Sequence, residues 1–217
     1  MKYIKIKKII DQILAFIGLI VLSPIFLVLI IAIKLDSEGP ILFKQKRIGI
    51  HKTHFNILKF RTMKIDTPKD TPTHLLENPD QYITKVGKFL RKTSLDELPQ
   101  IINILKGEMS VIGPRPALWN QFDLIAERDK YGANDIYPGL TGLAQISGRD
   151  EISIEMKSKI DGEYVKNMGP SMDIKCFFGT IVSVLKKDGV REGKAEDIIA
   201  SEEGEELDEE DLNNGKK

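Results

Sequence analysis

The chain has 217 residues, a formal net charge of zero and one cysteine, Cys176. That length suits one domain with a true core plus appendages, and a lone cysteine excludes an intrachain disulfide and points to a reducing compartment. The zero sum hides an asymmetry: residues 192–217 hold eleven acids and three lysines, a net of −8, so the preceding 191 residues carry +8. A basic body suggests an anionic partner such as a membrane surface, a nucleotide or a nucleic acid. The acidic tail has the apolar-poor composition of a disordered segment.

Residues 13–33 contain 21 residues without a charge, long enough to cross a bilayer. The run is too long for a signal peptide and has no small-residue cleavage site. Ser23-Pro24 interrupts its middle. Proline removes one helical hydrogen bond, and the serine hydroxyl can satisfy the freed carbonyl. Lys2, Lys5, Lys7 and Lys8 precede the run, and Lys34, Lys44, Lys46 and Arg47 follow it. Basic flanks belong on the cytoplasmic side, and here both are basic. The expectation is therefore a re-entrant helix–break–helix that enters and leaves by the cytoplasmic face. A straight span is the alternative.

Asp36 to Pro40 read as a turn, and 41–47 and 54–63 as the strands of a hairpin. Strand alternation puts Lys59, Arg61 and Met63 on one face. Two cations there suit a phosphate, or simply water. Residues 64–82 read as a long loop. His74 there is alone, and His51 and His54 lack acidic companions, so none is read as a metal ligand. Val86, Phe89 and Leu90 suggest a short helix that delivers Arg91 and Lys92.

The next stretch is Ser94-Leu95-Asp96-Glu97-Leu98-Pro99-Gln100. Ser94 and Glu97 have the spacing of a capping box, and Leu95, Leu98, Ile101, Ile102 and Leu105 follow at helical intervals up to Gly107. Pro99 is awkward in a helix that begins at Leu95, so the start slips forward or kinks. Asp96 and Glu97 fit two readings: helix caps, or a nucleophile and metal ligands.

A short strand over 109–112 leads into Gly113-Pro114-Arg115-Pro116, where an arginine sits on a stiff, extended backbone. A fixed guanidinium loses little entropy on meeting phosphate. Residues 117–130 read as helix. Pro138-Gly139-Leu140-Thr141-Gly142-Leu143-Ala144-Gln145, continuing to Arg149, reads as a glycine-rich loop suited to close approach of a ligand. It matches neither of the standard glycine-rich nucleotide fingerprints. Helices are expected over 154–168 and 172–187, the second either in the core or lying on a membrane surface. The fold class expected is α+β: a small mixed helix and β-hairpin domain with interfacial amphipathic helices.

The broken apolar run, Lys59-Phe60-Arg61-Thr62-Met63, Ser94–Gln100, Gly113–Pro116 and Pro138–Arg149 occur in an order that resembles the small monotopic bacterial phosphoglycosyl transferases, the bacterial sugar transferases. The resemblance covers the chain to about Arg191. It implies transfer of a sugar 1-phosphate from a UDP-sugar to a polyprenyl (undecaprenyl) phosphate, with release of UMP, on the cytoplasmic face of the bacterial inner membrane. It implies that Asp96 is the nucleophile, that Glu97 helps Asp96 hold Mg²⁺, and that the enzyme sits in one leaflet.

Lys59, Arg61, Arg91, Arg115 and Arg149 would supply charge to the phosphates. Pro138, Gly139, Thr141, Gly142 and Gln145 would form the nucleotide-sugar loop. The domain bounds expected are 1–36 for the anchor, 37–191 for the catalytic part and 192–217 for the tail. Competing readings are a glycosyltransferase that moves only the sugar and releases UDP, or a membrane adaptor without catalysis. No aromatics interleave the cations, which argues against nucleic acid.

Overall fold

A computed structural model of the chain describes residues 2–67, 81–147 and 152–186. The acidic tail, His74, Gly148 and Arg149 lie outside the described residues. The rest is a mixed α/β fold built against one long helix, α1 (Lys2–Asp36).

The expected break at Ser23-Pro24 does not divide α1, which is continuous over 35 residues. The physical reason is local. Pro24 has no amide to offer the carbonyl of Ile20, and Ser23 Oγ donates to that carbonyl instead, at 2.7 Å. One stripe of α1 is buried or half-buried along its length: Ala15, Leu19, Leu22, Phe26, Leu29 and Ile33. The opposite face leaves Ile13, Phe16, Ile17, Ile20, Val21 and Val28 exposed. The helix is long and apolar enough to cross a membrane.

Both ends of α1 are tied to the same body. Near its start, Lys7 pairs with Asp173 at 2.7 Å and with Asp11 at 3.3 Å, and Asp11 accepts from Ser110 Oγ. At its end, Asp36 accepts the Val86 amide at 2.9 Å, and the carbonyls of Ser37 and Glu38 take up the Arg61 guanidinium.

Strands β1 (Leu42–Ile48) and β2 (His54–Phe60) form the expected hairpin, antiparallel with Ile48 opposite His54 and Leu42 opposite Phe60. Helix α2 (Lys85–Thr93) is capped by Thr84, whose hydroxyl accepts the Gly87 amide at 2.9 Å. The capping box at Ser94 does not form. Ser94 takes a left-handed backbone (φ 56°) that ends α2, and its side chain makes no cap bond. A 3₁₀ turn, Leu95–Glu97, follows, and α3 (Gln100–Leu105) begins only after Pro99, whose missing amide is no loss just ahead of a helix. Gly107 (φ 75°) then ends α3: the Glu108 amide returns to the Asn103 carbonyl and the Gly107 amide to Ile104.

Asn103 is fully buried and acts as a strand partner to β2. Its Oδ1 accepts the Leu58 amide at 2.9 Å and its Nδ2 donates to the Asn56 carbonyl at 2.8 Å. That bidentate pair fixes α3, and the acidic turn ahead of it, against the strand that carries Lys59.

β3 (Ser110–Ile112) pairs in parallel with β4 (Gly139–Thr141). The helix expected over 117–130 is shorter: α4 spans Phe122–Asp129. Residues 117 and 118 instead extend the hairpin, with the Ala117 carbonyl accepting the Ile48 amide at 3.0 Å and Leu118 bridged to Arg47. The stretch expected as a glycine loop is strand β4 followed by α5 (Leu143–Ser147). Helices α6 (Ile154–Asn167) and α7 (Pro170–Lys186) close the domain. Tyr164 of α6 and Cys176 of α7 are buried beside Ile112 and Leu143. The outer face of α7 exposes Ile174, Phe177, Phe178, Ile181 and Val182.

Candidate active site

The 3₁₀ turn presents two adjacent carboxylates to the cations of β2 and of the 113–116 loop. Lys59 Nζ lies 2.7 Å from Glu97 Oε1 and 3.7 Å from Asp96 Oδ2. Arg115 Nη2 reaches the same Glu97 oxygen at 2.8 Å. Glu97 is thus held by two cations, whereas the only polar contact of the Asp96 carboxylate among the described residues is the longer one to Lys59.

Their ionisation diverges accordingly. Burial raises the Asp96 carboxyl above its ordinary range, and the Glu97 charge adds to this. Lys59, Arg91 and Arg115 oppose the rise without cancelling it. Burial also pushes Glu97 upward, but the charges and hydrogen bonds of Arg115 and Lys59 outweigh it and hold this carboxyl well below the usual range.

Of the cations expected at the site, the fold brings together Lys59, Arg91 and Arg115. Arg91, at the end of α2, donates from Nε to Thr62 Oγ1 at 3.0 Å and acts on the Asp96 charge. Arg61 does not join them. β2 ends at Phe60, so strand alternation stops there, and the Arg61 guanidinium is bound by the carbonyls that follow α1. Those carbonyls lie at a helix C-terminus, where a cation is favoured.

Arg47 belongs to the site although its sequence context suggested only a basic flank. It shares the β1–β2 face with Lys59, because Lys59 lies opposite Phe43 and alternate residues share a face. Its Nη1 donates to the Pro116 carbonyl at 2.9 Å and its Nη2 to Gln45 Oε1 at 2.7 Å. Burial, with the neighbouring Arg115 charge, lowers its pKa to about 10 against the opposing pull of Glu97.

The residues expected as a nucleotide-sugar loop make their close approach to protein backbone. The Gly139 amide donates to the Pro114 carbonyl at 2.9 Å, and the Gly113 amide to the Thr141 carbonyl at 2.8 Å. A Cβ at Gly139 would lie 2.2 Å from Gly113 N, and one at Gly142 would lie 2.1 Å from Gly113 O. Pro138 accepts the Ser110 amide through its carbonyl, Thr141 shares a hydroxyl hydrogen bond with Thr180 at 2.7 Å, and Gln145 donates to the Leu140 carbonyl at 3.3 Å. This segment buttresses the Arg115 loop.

No group of three or more His, Cys, Asp or Glu side chains suited to a metal occurs among the described residues. Asp96 and Glu97 remain as donors. A pair of carboxylates suits an ion that takes its other ligands from phosphate and water, which is the habit of Mg²⁺.

The model of the family described as "Bacterial sugar transferase" matches residues 2–187. An uncharacterized sugar transferase, EpsL, of Bacillus subtilis is 39% identical over 188 residues, covering 86% of this chain and 91% of that protein. The exopolysaccharide production protein ExoY of Sinorhizobium fredii is 36% identical over 197 residues, 84% of this chain and 87% of its own length. The UDP-glucose:undecaprenyl-phosphate glucose-1-phosphate transferase of Escherichia coli is 38% identical over 184 residues, 79% of this chain but 38% of its own length. The chain therefore spans about two fifths of the larger relatives and about nine tenths of the smaller ones.

Proposed function

The chain belongs to the bacterial sugar transferase family, and on that premise we propose that it transfers a sugar 1-phosphate from a UDP-sugar to a polyprenyl phosphate and releases UMP. The observation that carries this reading is the unequal treatment of the two adjacent acids. Glu97 is spent on Lys59 and Arg115, and Asp96 stands among the same cations with a carboxylate left to react.

In the first half-reaction, an Asp96 oxygen attacks the β-phosphorus of the UDP-sugar. The bond from that phosphorus to the bridging oxygen breaks, and UMP leaves. In the second, a phosphate oxygen of the polyprenyl phosphate attacks the same phosphorus, the aspartyl–phosphorus bond breaks, and the carboxylate is restored. Lys59, Arg91 and Arg115 neutralise the phosphoryl oxygens through both steps, the main requirement when two anions must meet. Mg²⁺, held by Asp96 with Glu97 beside it, would add positive charge at the pyrophosphate.

The membrane arrangement we propose is insertion into one leaflet from the cytoplasmic face of the inner membrane. A 35-residue helix is ~52 Å long, and a crossing helix would leave its ends on opposite sides of ~30 Å of hydrocarbon. The Lys7–Asp173 pair at one end and the Asp36–Val86 bond at the other hold both ends to one domain, which supports a helix seated in one leaflet with both ends on the same side. The exposed apolar face of α7 suits an interfacial position beside it. Likeness to a relative named for exopolysaccharide production supports a place in surface-glycan assembly.

The test is the intact mass of the protein with Mg²⁺ and a panel of UDP-sugars, without lipid acceptor, while UMP is assayed. A gain of one phosphosugar, absent in Asp96→Asn, is expected. UMP release only when polyprenyl phosphate is present, with no adduct, would overturn the covalent mechanism. Release of UDP would make it a glycosyltransferase.

A further inference from the structure

A buried ion pair lies behind the Arg115 loop. Arg128 of α4 and Asp161 of α6 are 3% and 1% exposed. Arg128 donates to Asp161 Oδ2 from Nε at 2.8 Å and from Nη2 at 2.6 Å. Its remaining arm, Nη1, leaves the pair and donates to the main-chain carbonyl of Arg115 at 2.9 Å.

A buried ion pair is a weak source of stability, because desolvation of both charges offsets their attraction, and well-packed apolar replacements are often neutral. The third arm gives the pair another use. The loop has few amides with which to hold itself, since two of its residues are prolines. Its carbonyls are held from outside in succession: Pro114 by the Gly139 amide, Arg115 by Arg128 and Pro116 by Arg47. Arg128 supplies the only one of these three contacts that acts on Arg115 itself. Asp161 accepts two of its N–H groups and so turns the third toward the loop.

We propose that Arg128, oriented by Asp161, is a positioning residue that fixes the backbone of Arg115, so that the Arg115 guanidinium meets a substrate phosphate in one orientation. This deepens the phosphoglycosyl transferase reading and rests on it for the identity of the phosphate.

The experiment compares wild type with Arg128→Met/Asp161→Leu, which removes both charges together, and with Arg128→Lys, which leaves Asp161 a cation but cannot supply all three contacts. Three quantities are read: the melting temperature, amide exchange of the peptide spanning 113–118, and steady-state UMP release from a UDP-sugar with polyprenyl phosphate present. The double variant is expected to melt close to wild type. Its 113–118 peptide should exchange tenfold or more faster while other peptides are unchanged. Its KM for the UDP-sugar should rise at least tenfold with a smaller effect on kcat.

Arg128→Lys should move exchange and KM in the same direction, and it decides the matter if the double variant does not fold. Wild-type exchange and KM in a folded variant would overturn the proposal and leave the pair a purely structural element. If wild type releases no UMP from any UDP-sugar, the functional reading fails, and exchange of 113–118 alone decides whether Arg128 positions the loop.

Discussion

Replacing Lys59 by methionine should move the acid limb of the first half-reaction to higher pH. The nucleophile must be ionised, so the rate is lost as pH falls through the Asp96 pKa. Lys59 is the nearest cation to that carboxylate, at 3.7 Å, with side-chain exposures of 19% and 13%. At that distance, two opposite unit charges attract by ~1 kcal/mol in water and ~4.5 kcal/mol at an effective dielectric of about 20. Removing Lys59 should therefore raise the Asp96 pKa further and carry the acid limb upward with it.

Glu97→Gln should act in the opposite sense, because the Glu97 charge helps to raise Asp96 and its loss frees Lys59 and Arg115 to act on Asp96 alone. The assay is single-turnover UMP release without lipid, from about pH 5 to pH 8, fitted for limb position rather than amplitude. Omitting the lipid keeps its own titrating phosphate out of the profile. A limb that stays in place in Lys59→Met, or moves down, would refute Asp96 as the titrating nucleophile beside Lys59.

Three further outcomes are expected. Asp96→Asn should melt above wild type at pH 7: burial raises this carboxyl, so its ionisation weakens the fold as pH rises from the ordinary carboxylate value through the folded one, and the amide escapes that loss. Calorimetry at pH 4 and pH 7 checks it, with the gap expected to widen at the higher pH. Gly139→Ala should lower the melting temperature by roughly 6–12 °C, the equivalent of about 3 kcal/mol in a chain of this size, because the added methyl would sit 2.2 Å from Gly113 N. An unchanged melting temperature would contradict the close β3–β4 pairing. Cysteines placed at the exposed Lys5 and Glu38, in a Cys176→Ser background, should both react with an impermeant maleimide from the cytoplasmic side only. Labelling of position 5 from outside the cell would overturn same-side anchoring.

Much of this site is legible in short stretches of sequence, and the misses have physical causes. Strand alternation located Lys59, and the two prolines marked Arg115. The same alternation misplaced Arg61 because β2 stops one residue before it. Arg47 carried a signal: with Ile48 opposite His54, the hairpin register puts it on the Lys59 face.

The Ser94–Glu97 spacing of a capping box was a coincidence of pattern. Serine in a left-handed turn can end one helix as readily as it can begin another, and Pro99 was the better guide to where α3 starts. The glycines at 139 and 142 were recognisable as sites of close approach, but their partner, the Gly113 backbone, was not, since backbone against backbone and backbone against ligand demand the same missing Cβ. Arg128 left no local trace, because its meaning arises only when α4 and α6 bring it to Asp161, 33 positions away.

The two acids differ by one methylene, and that difference divides their work. The longer Glu97 side chain reaches Lys59 and Arg115 together, and the shorter Asp96 stops at 3.7 Å from the nearer one. With both ionised, two negative charges sit among Arg47, Lys59, Arg91 and Arg115. Four unopposed cations would repel one another and would hold the departing UMP as firmly as the substrate, a gain in ground-state binding that does nothing for turnover. On the proposed mechanism, Glu97 does more than accompany the nucleophile. By drawing Lys59 and Arg115 onto one oxygen, it sets their spacing before any phosphate arrives, so that little reorganisation remains for the reacting step.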